Sequence, residues 1–293
     1  MISIMTITNI TLAQLRVLTM IVEDASFSTA ATRIGMTQSG ASQAMRSLEG
    51  VLGVKLLVRG KNGVFPTEIG QAVLQDAREA VLAIERIQQR SAAASGAQTG
   101  RLRIGSVASA VERLLPQILA RFQRLFPGVE LVLLEGTDHE VLEWVETAVV
   151  DVGLTSEQSA ETVGDVVLED DFVFLAACDH PLAATARVKL CDLADENFIM
   201  SGSGCEPVIR QLFASVNISP KVVLTVRDTA ALVEMVSQGI GVTLMPELST
   251  PEGDARVCRI PIVPCVQRRL LVVSLARANR SPAAEKFVQL LAP

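Results

Sequence analysis

The 293-residue sequence predicts a small all-α domain with a winged helix-turn-helix, then a long linker helix, then a larger α/β domain. Three patterns lead to this prediction. Residues 26–49 have the spacing of two short amphipathic helices joined by a tight turn. After residue 67, apolar side chains recur at the alternating steps of four and three that a coiled-coil seam requires. From residue 102 onward, strand-like runs alternate with helical ones, which favours a parallel sheet covered by helices.

The predicted helix-turn-helix begins at Ser26, a residue type that caps helix N-termini. Gly35 supplies a permissive backbone and Thr37 follows as a second N-cap, so one helix stops and the next begins within about three residues. A turn this short makes the two helices cross. The apolar stripe of the first helix consists of Phe27, Ala30, Ala31 and Ile34.

The second helix separates an apolar face from a small, polar one. Its inward positions are Ala41, Ala44, Met45 and Leu48, and its outward positions are Gln38, Ser39, Ser42, Gln43 and Arg46. Gln, Ser and Arg reach base edges and phosphates, and Gly40 and Ala41 allow a close approach, so this face suits a DNA major groove. The alternative is an ordinary solvated helix. Such a helix would more often carry Glu and Lys, whereas this face has no acid before Glu49.

The flanking sequence completes the domain. Upstream, a further amphipathic helix is predicted, with its apolar face made of Leu12, Leu15, Leu18, Ile21 and Val22. Downstream, residues 56–58 and 64–65 are β-prone runs separated by an Asn-Gly pair, which indicates a hairpin. Its tip carries Arg59 and Lys61, so it is predicted to be a wing whose cations lie near phosphates. The alternative for the hairpin in isolation is a basic surface loop.

The net charge of −6 is unevenly distributed along the chain. Residues 1–94 contain nine Lys or Arg against seven Asp or Glu, whereas residues 95–293 contain 17 against 25. Residues 33–61 carry Glu49 as their only acid, beside the cations Arg33, Arg46, Lys55, Arg59 and Lys61. The attraction to DNA is therefore expected to be local and to be doubled by dimerisation.

A long helix is predicted after Thr67, which serves as its N-cap with Glu68 in the first turn. Its apolar seam consists of Val73, Ala77, Ala80, Ile84 and Ile87. We interpret the seam as a dimer contact; a helix packed on its own domain is the alternative, disfavoured because the other faces are polar. Residues 91–100, rich in Ala, Ser and Gly, predict a hinge.

Alternating elements follow the hinge. Helices are predicted around residues 114–122, 141–149, 208–216 and 230–238, and strands or extended segments at 102–105, 129–134, 152–154, 166–177 and 222–226. In such sheets, ligands bind beyond the carboxyl ends of the strands, at helix N-termini with unpaired N–H groups. Three polar loops meet this rule; they contain Ser106, Val107 and Ser109, then Thr155 and Ser156, and then Ser201, Gly202, Ser203 and Cys205.

Hydroxyl and backbone amide groups in these loops would suit a carboxylate or a similarly polar small molecule. For each loop separately, capping of the next helix is the alternative. Arg227, which follows a predicted strand, either adds a cation to the same site or lies on the surface.

The N-terminal motifs, taken in order and spacing, resemble those of the LysR-type transcriptional regulators. They are Ala-Ser-Phe-Ser-Thr-Ala-Ala from Ala25, Thr-Gln-Ser from Thr37, Ser-Leu-Glu from Ser47, Leu-Gly-Val-Lys-Leu from Leu52, then Arg59, and Pro-Thr-Glu-Ile-Gly from Pro66. The sequence differs from the family in two places, Gly40 and Leu57, where the family often has Pro and Phe. Neither change removes a required polar group.

The resemblance implies a winged helix-turn-helix DNA-binding domain at residues 1–66, a dimerising linker helix at 67–94, a hinge at 95–100 and an effector-binding domain at 101–293. The last resembles periplasmic binding proteins, with lobe I formed by residues 101 to about 160 and 266–293, and lobe II by about 161–265. The loops holding Ser106–Ser109 and Ser201–Cys205 would face each other between the lobes. A ligand there would reposition paired DNA-binding domains through the linker helices.

The resemblance also implies the partners: operator DNA, a small-molecule effector, a second copy in a homodimer or homotetramer, and RNA polymerase. The candidate DNA-binding residues are Arg33, Thr37, Gln38, Ser39, Ser42, Gln43, Arg46, Arg59, Lys61 and Thr67. The candidate effector-binding residues are Ser106, Val107, Ser109, Thr155, Ser201, Gly202, Ser203, Cys205 and Arg227.

The five cysteines are expected to be reduced thiols rather than a disulfide framework, because no CxxC pair occurs and the chain is expected in the cytoplasm. Cys205 resembles the peroxide-reacting cysteine of the redox-sensing branch of the family, and a helix N-terminus would lower its thiol pKa. The local disulfide partner of that branch is replaced by Ala214. A redox sensor is therefore the alternative to an effector-binding regulator.

Other classes of protein are disfavoured. The two histidines, His139 and His180, have no metal-ligand spacing, and no GxSxG motif or phosphate loop occurs, so no catalytic residue, metal or cofactor is predicted. A small-molecule-binding protein without DNA function would lack the first 94 residues and carry an export signal. No apolar run approaches the roughly 20 residues of a membrane helix, so a cytoplasmic location without a membrane partner is expected.

Overall fold

The computed structural model describes residues 10–61, 63–94, 99–157, 159–251, 253–276 and 280–291. The chain divides into two compact units, one that includes Met1–Gly96 and one that includes Ala97–Glu146 and Val150–Pro293. Among the described helices, none combines the length and the apolar content needed to span a bilayer.

Three helices and a hairpin form the N-terminal domain. They are α1 (Leu12–Asp24), α2 (Phe27–Arg33), α3 (Gln38–Leu52) and the antiparallel strands β1 (Leu57–Gly60) and β2 (Gly63–Pro66). The inward faces of the three helices meet in one core, in which Leu18, Leu48 and Leu56 have no exposed surface. The predicted winged helix-turn-helix is confirmed, although Asn62, part of the predicted turn, lies outside the described residues.

The long helix α4 spans Glu68–Ala94. Its first turns pack on the N-terminal core, where Leu74 and Ala77 are each 1% exposed and Val73 is half-buried. Ala77 is therefore covered by the core of its own domain, whereas the assignment of the whole seam to a dimer contact stays a prediction. Farther along, Ala80 and Ile84 are half-buried and Ile87 is 61% exposed.

Both ends of the segment whose composition predicts a hinge belong to the neighbouring elements. Residues 91–94 continue α4, because Ala and Ser side chains do not by themselves end a helix, and Thr99 and Gly100 already belong to strand β3. Residues 95–98 lie outside the described part of the chain.

The second unit is α/β. Its helices are α5 (Ala108–Arg113), α6 (Leu115–Leu125), α7 (Asp138–Glu146), α8 (Glu206–Ser215), α9 (Thr229–Ser237) and α10 (Pro282–Leu291). Its strands are β3 (Thr99–Val107), β4 (Gly128–Gly136), β5 (Val152–Thr155), β6 (Val163–Ala177), β7 (Val188–Lys189), β8 (Asn197–Ser201), β9 (Lys221–Val226), β10 (Thr243–Pro246), β11 (Val257–Val263) and β12 (Gln267–Ser274).

The main sheet has the order β4-β3-β5-β12-β6-β11-β7, with β10 also paired to β6, and β8 pairs with β9. Strands β4, β3 and β5 are mutually parallel, as predicted. The sheet as a whole is mixed, because β12 and β6 run antiparallel to their neighbours. Strand β12 returns from the C-terminal part of the chain, a long-range pairing that local periodicity does not reveal.

Two apolar cores lie along this sheet, one for each lobe. The lobe I core contains Phe122 and Phe287, and the lobe II core contains Phe174, Phe198 and Phe213. The long strand β6 passes through both: its residues Val167 and Leu168 pack on lobe I, and its residues from Phe172 onward pack on lobe II. The first crossing between lobes thus lies near residue 170, farther along the chain than the resemblance implied.

Cys178 and Cys258 form a disulfide in lobe II, which corrects the expectation that all five cysteines are free thiols. The physical reason is strand register: β11 pairs with the end of β6, so the two Cα atoms lie 5.1 Å apart although 80 residues separate them in sequence. Cys191, Cys205 and Cys265 are free.

Candidate DNA-binding surface and effector site

The caps of the helix-turn-helix are those that the sequence predicts. The Ser26 hydroxyl accepts a hydrogen bond from the Thr29 N–H (3.3 Å), and the Thr37 hydroxyl accepts one from the Gly40 N–H (3.1 Å). Between them, Gly35 adopts a φ of +69°, a conformation in which a Cβ would be strained. These three residues fix where α2 ends and α3 begins.

The outward face of α3 is free of the core. Gln38, Ser39, Gln43 and Arg46 are exposed, and Ser42 is half-buried. Arg46 Nε donates to the Ser42 carbonyl (3.3 Å), which orients the guanidinium along the helix. The face can therefore offer neutral hydrogen-bonding groups and one cation to a duplex.

The wing lies beside this face. A groove of about 450 Å³ runs between them and is lined by Ser42, Arg46, Lys55 and Arg59, among others. The Arg59 guanidinium lies 5.4 Å from the centre of the Phe27 ring, a cation–π contact that connects the wing to α2. Lys61 is exposed at the tip.

Arg33 and Thr67, two further candidate DNA residues, also have partners within the domain. Arg33 forms ion pairs with Asp24 (2.6 Å) and Glu23 (3.6 Å), and its hydrogen bond to Asp24 raises the pKa of the guanidinium. The Thr67 hydroxyl donates to the Lys55 carbonyl (2.8 Å) and accepts from the Gly70 N–H (3.0 Å). Arg33 nevertheless stays exposed at the surface, whereas Thr67 joins the start of α4 to residue 55.

Glu49 is the residue of this surface whose role the sequence did not indicate. Its Oε1 accepts hydrogen bonds from the N–H groups of Leu56 (2.9 Å) and Leu57 (3.4 Å), and its Oε2 lies 2.6 Å from Lys55 Nζ. Burial alone would raise the pKa of this carboxyl, but these hydrogen bonds outweigh it, and the pKa is lowered. Glu49 is therefore an ionised link between α3 and the wing.

In lobe I, the polar side chains of the first predicted loop point to protein partners. The buried Ser106 hydroxyl donates to the Val107 carbonyl (3.2 Å). The Ser109 hydroxyl accepts a hydrogen bond from an Arg268 terminal nitrogen (2.7 Å). Val107 is the N-cap residue of α5 and makes no side-chain capping hydrogen bond.

Thr155 is buried and anchors the start of α7. Its hydroxyl donates to Asp138 Oδ1 (2.8 Å), which also accepts from the Ser156 hydroxyl (2.8 Å). The donors of this second loop are therefore already used by a carboxylate of the protein itself, and Asp138 was not among the predicted residues.

The third loop brings lobe II close to lobe I. A Cβ at Gly204, whose φ is +108°, would lie 3.4 Å from the Cβ of Thr137. The Ser201 and Ser203 hydroxyls are hydrogen-bonded to each other (2.9 Å), and Gly202 lies against the side chain of Arg227. Arg227 is exposed, and its charge helps to lower the pKa of Glu140 in lobe I, after the larger effect of hydrogen bonds from Thr137.

Cys205 lies at the start of α8, yet its thiol is not activated. Burial, with smaller effects of Asp138 and Asp170, raises the pKa of Cys205 to about 11, against the opposing effect of Arg268. The expectation of a lowered pKa is corrected, because desolvation of the thiolate outweighs the helix N-terminus. Asp170 of β6 and Arg268 of β12 are thus among the charged groups that act on Cys205.

Arg268 of β12 and Asp170 of β6 form a buried ion pair. The Asp170 carboxylate accepts from Arg268 Nε (3.0 Å) and from its terminal nitrogen (2.8 Å), and it also accepts from the Leu248 N–H (3.0 Å). The two side chains are 9% and 4% exposed. The available sequence signal was a pair of oppositely charged runs, residues 169–171 and 268–269, within otherwise apolar strands.

The raised pKa predicts that Cys205 reacts slowly with electrophiles. Near pH 8, its alkylation by iodoacetamide should be on the order of 100-fold slower than that of a thiol titrating at the ordinary value of 9.0, because fewer thiolates are present. Site-resolved mass spectrometry gives the rate, with the exposed Cys191 as the internal control. Equal rates for the two cysteines, or rapid oxidation of Cys205 by peroxide, would contradict this prediction.

Two family models match the chain. Residues 12–71 match the model described as "Bacterial regulatory helix-turn-helix protein, lysR family", and residues 95–293 match "LysR substrate binding domain". The uncharacterized HTH-type transcriptional regulator YvbU of Bacillus subtilis is 32% identical over 286 residues, which are 96% of this chain and 97% of that protein.

Solved structures share the fold. A full-length OxyR variant from Pseudomonas aeruginosa has a TM-score of 0.78 at 21% identity, covering 97% of this chain and 96% of that one. The effector-binding domain of QuiR in complex with shikimate has a TM-score of 0.59 at 24% identity, covering 66% of this chain and 95% of that one. The chain belongs to the LysR family of DNA-binding transcriptional regulators, with an N-terminal helix-turn-helix and a C-terminal substrate-binding domain.

Proposed function

We propose that this regulator reads an operator with α3 and the wing, and that a small carboxylate bound between its two lobes changes those contacts. The observation that carries the proposal is the groove that places the neutral face of α3 beside the cations of the wing. The protein then acts in transcription, in the cytoplasm, and performs no catalytic step.

The residues proposed to touch DNA fall into two groups. Base edges would be read by Gln38, Ser39, Ser42, Gln43 and Arg46, with the Thr37 hydroxyl near the backbone at the helix start. Phosphates would be bound by Arg59 and Lys61. Arg33 and Thr67, whose side chains are engaged by Asp24 and Lys55, are proposed to support this surface instead.

This division of roles predicts that two variants lose DNA-binding affinity in different ways. Arg46→Ala should weaken binding to an operator more than binding to random DNA, by about 1–3 kcal/mol if Arg46 reads a base. Lys61→Ala should weaken both alike and reduce the salt dependence, since a phosphate contact carries no sequence information. Fluorescence anisotropy with both duplexes at several salt concentrations measures the affinities and their salt dependence. Equal losses for the two variants on both DNAs would refute the division.

Two copies of the chain would bind one DNA duplex together, because a single domain of this size makes few phosphate contacts. On the distal half of α4, the half-buried Ala80 and Ile84 and the exposed Ile87 offer an apolar surface to a second copy. We therefore propose a homo-oligomer, a homodimer or homotetramer.

The effector is proposed to contact the loops that contain Ser106, Val107, Ser109, Thr155, Ser201, Gly202, Ser203, Cys205 and Arg227. A carboxylate fits the polar start of α8 and the exposed cation of Arg227. The QuiR domain, which has this fold, binds shikimate, itself a small carboxylate.

A thermal-shift screen of small carboxylates and aromatic acids on the full chain tests this assignment. A ligand that binds only the folded state stabilises it by about 2.7 kcal/mol at 100 times its Kd. At least one acid should raise the melting temperature in a concentration-dependent way, and its amide analogue should not. A shift by the amide as large as that by the acid would show that the carboxylate is not what is recognised.

A further inference from the structure

Glu49 joins the recognition helix to the segment that leads into the wing. Its carboxylate contacts all three residues of that segment, Lys55 through its side chain and Leu56 and Leu57 through their N–H groups. Only 10% of the Glu49 side chain is exposed. One acid on α3 therefore holds residues 55–57 from one side.

The start of α4 holds the same segment from the other side. The Thr67 N–H donates to the Leu56 carbonyl (2.9 Å), and the Thr67 hydroxyl donates to the Lys55 carbonyl (2.8 Å). The N–H groups of Leu56 and Leu57 thus meet Glu49, and the carbonyl groups of Lys55 and Leu56 meet Thr67. This segment, which we call the wing anchor, has its position fixed by α3 and α4 together.

The wing anchor determines where the cations of the wing lie. Strand β1 begins at Leu57, so Arg59 follows two residues after the last contact of Glu49. Arg59, Glu49 and Arg46 line the same groove. Displacement of the wing anchor would therefore move Arg59 relative to Arg46.

The charge of Glu49 would by itself oppose DNA binding. Apart from Glu49, the charged residues that line the groove are the cations Arg46, Lys55 and Arg59, and phosphates repel a carboxylate at this place. Removing that carboxylate should tighten DNA binding if its charge were all that mattered. Its hydrogen bonds to the wing anchor give the opposite expectation.

We propose that Glu49 is a positioning residue for DNA binding, which holds the wing at a fixed distance from the recognition helix so that both reach one duplex. It acts through the wing anchor, without touching DNA. Hydrogen bonds to an ionised acceptor are strong ones, so their loss affects the wing more than the lost repulsion favours the phosphates.

The test compares Glu49→Ala with Glu68→Ala, which removes the same charge from an exposed position of α4 in the same domain. Both are measured in the full chain against a duplex that the wild-type chain selects from genomic fragments. We expect Glu49→Ala to bind roughly tenfold more weakly or worse, with a shallower salt dependence, because the wing cations no longer reach phosphates. Glu68→Ala should bind as the wild type or slightly more tightly. Binding of Glu49→Ala as tight as that of the wild type, or tighter, would overturn the proposal.

A double-mutant cycle separates positioning from general damage to the fold. In an Arg59→Ala/Lys61→Ala background the wing has no cations to position, so Glu49→Ala should cause little further loss. A full, additive loss in that background would overturn the proposal. If Glu49→Ala does not fold, as judged by circular dichroism, the same cycle is run with Glu49→Gln. That variant keeps an acceptor for the Leu56 N–H but not the charge, and it should bind more weakly than wild type where a charge effect alone would tighten binding.

Discussion

Replacement of Asp170 by alanine is expected to lower the free energy of unfolding of the α/β domain by about 3–5 kcal/mol. The variant would leave the guanidinium of Arg268 buried without its carboxylate, and it would leave the Leu248 N–H without its acceptor. Removing one partner of a buried ion pair lowers the stability by more than the intact pair contributes to it, because the remaining charge stays desolvated. This is the largest loss of stability that we predict for a single substitution in the effector domain.

Glu169→Ala is the matched control. Glu169 and Arg269 form the neighbouring pair of the same two strands, at 3.2 Å, but their side chains are 52% and 69% exposed. Its removal should cost no more than about 1 kcal/mol, since solvent screens an exposed pair. Urea unfolding followed by the fluorescence of Trp144, the single tryptophan, reports on this domain. Similar losses for the two variants would show that burial of the Asp170 pair has no special effect.

Gly70→Ala is expected to be the most damaging small substitution in the N-terminal domain. A Cβ at Gly70 would lie 2.0 Å from the Leu56 carbonyl oxygen and 3.0 Å from the Thr67 hydroxyl. The backbone of the wing anchor would have to move, so we expect a loss of about 3 kcal/mol or more in stability, together with weaker DNA binding. Hydrogen exchange of amides in α1, α3 and α4 measures the stability of this domain.

Gly50→Ala provides the control for the same chemical change. Gly50 lies in α3, and a Cβ there would meet nothing within 4 Å. Alanine should stabilise the helix by about 0.5–1 kcal/mol, because glycine has the greater conformational entropy to lose. If the amides of the Gly70→Ala variant exchanged as slowly as those of Gly50→Ala, the close approach of α4 to the wing anchor would not require a glycine at position 70.

The local elements of the N-terminal domain were predictable, because their signals lie within a few residues. Ser26 and Thr37 cap helices through their own side chains, and Gly35 requires its conformation locally. The exposed face of α3 follows from helical periodicity alone. The same locality explains why Glu49 was counted as an outward acid: its partners, Leu56 and Leu57, lie beyond the end of its helix.

Long-range pairings were not predictable in the same way. The seam of α4 was assigned to a second copy because periodicity shows that a face is apolar, but not what covers it; for Ala77 it is the core of its own domain. The pairing of β12 with β6 brings Arg268 to Asp170, 98 residues apart, and the pairing of β11 with β6 brings Cys258 to Cys178. Each depends on register between strands that are distant in sequence.

A ligand between the lobes is proposed to control DNA contacts, and DNase footprinting of the full chain tests this control. The operator is a duplex selected from genomic fragments, and the ligand is the carboxylate that raises the melting temperature. We expect this acid to change the extent or spacing of the protected region, since a ligand can shift a conformational equilibrium only through differential binding. Identical footprints at saturating and zero ligand, with the ligand shown to be bound, would contradict it.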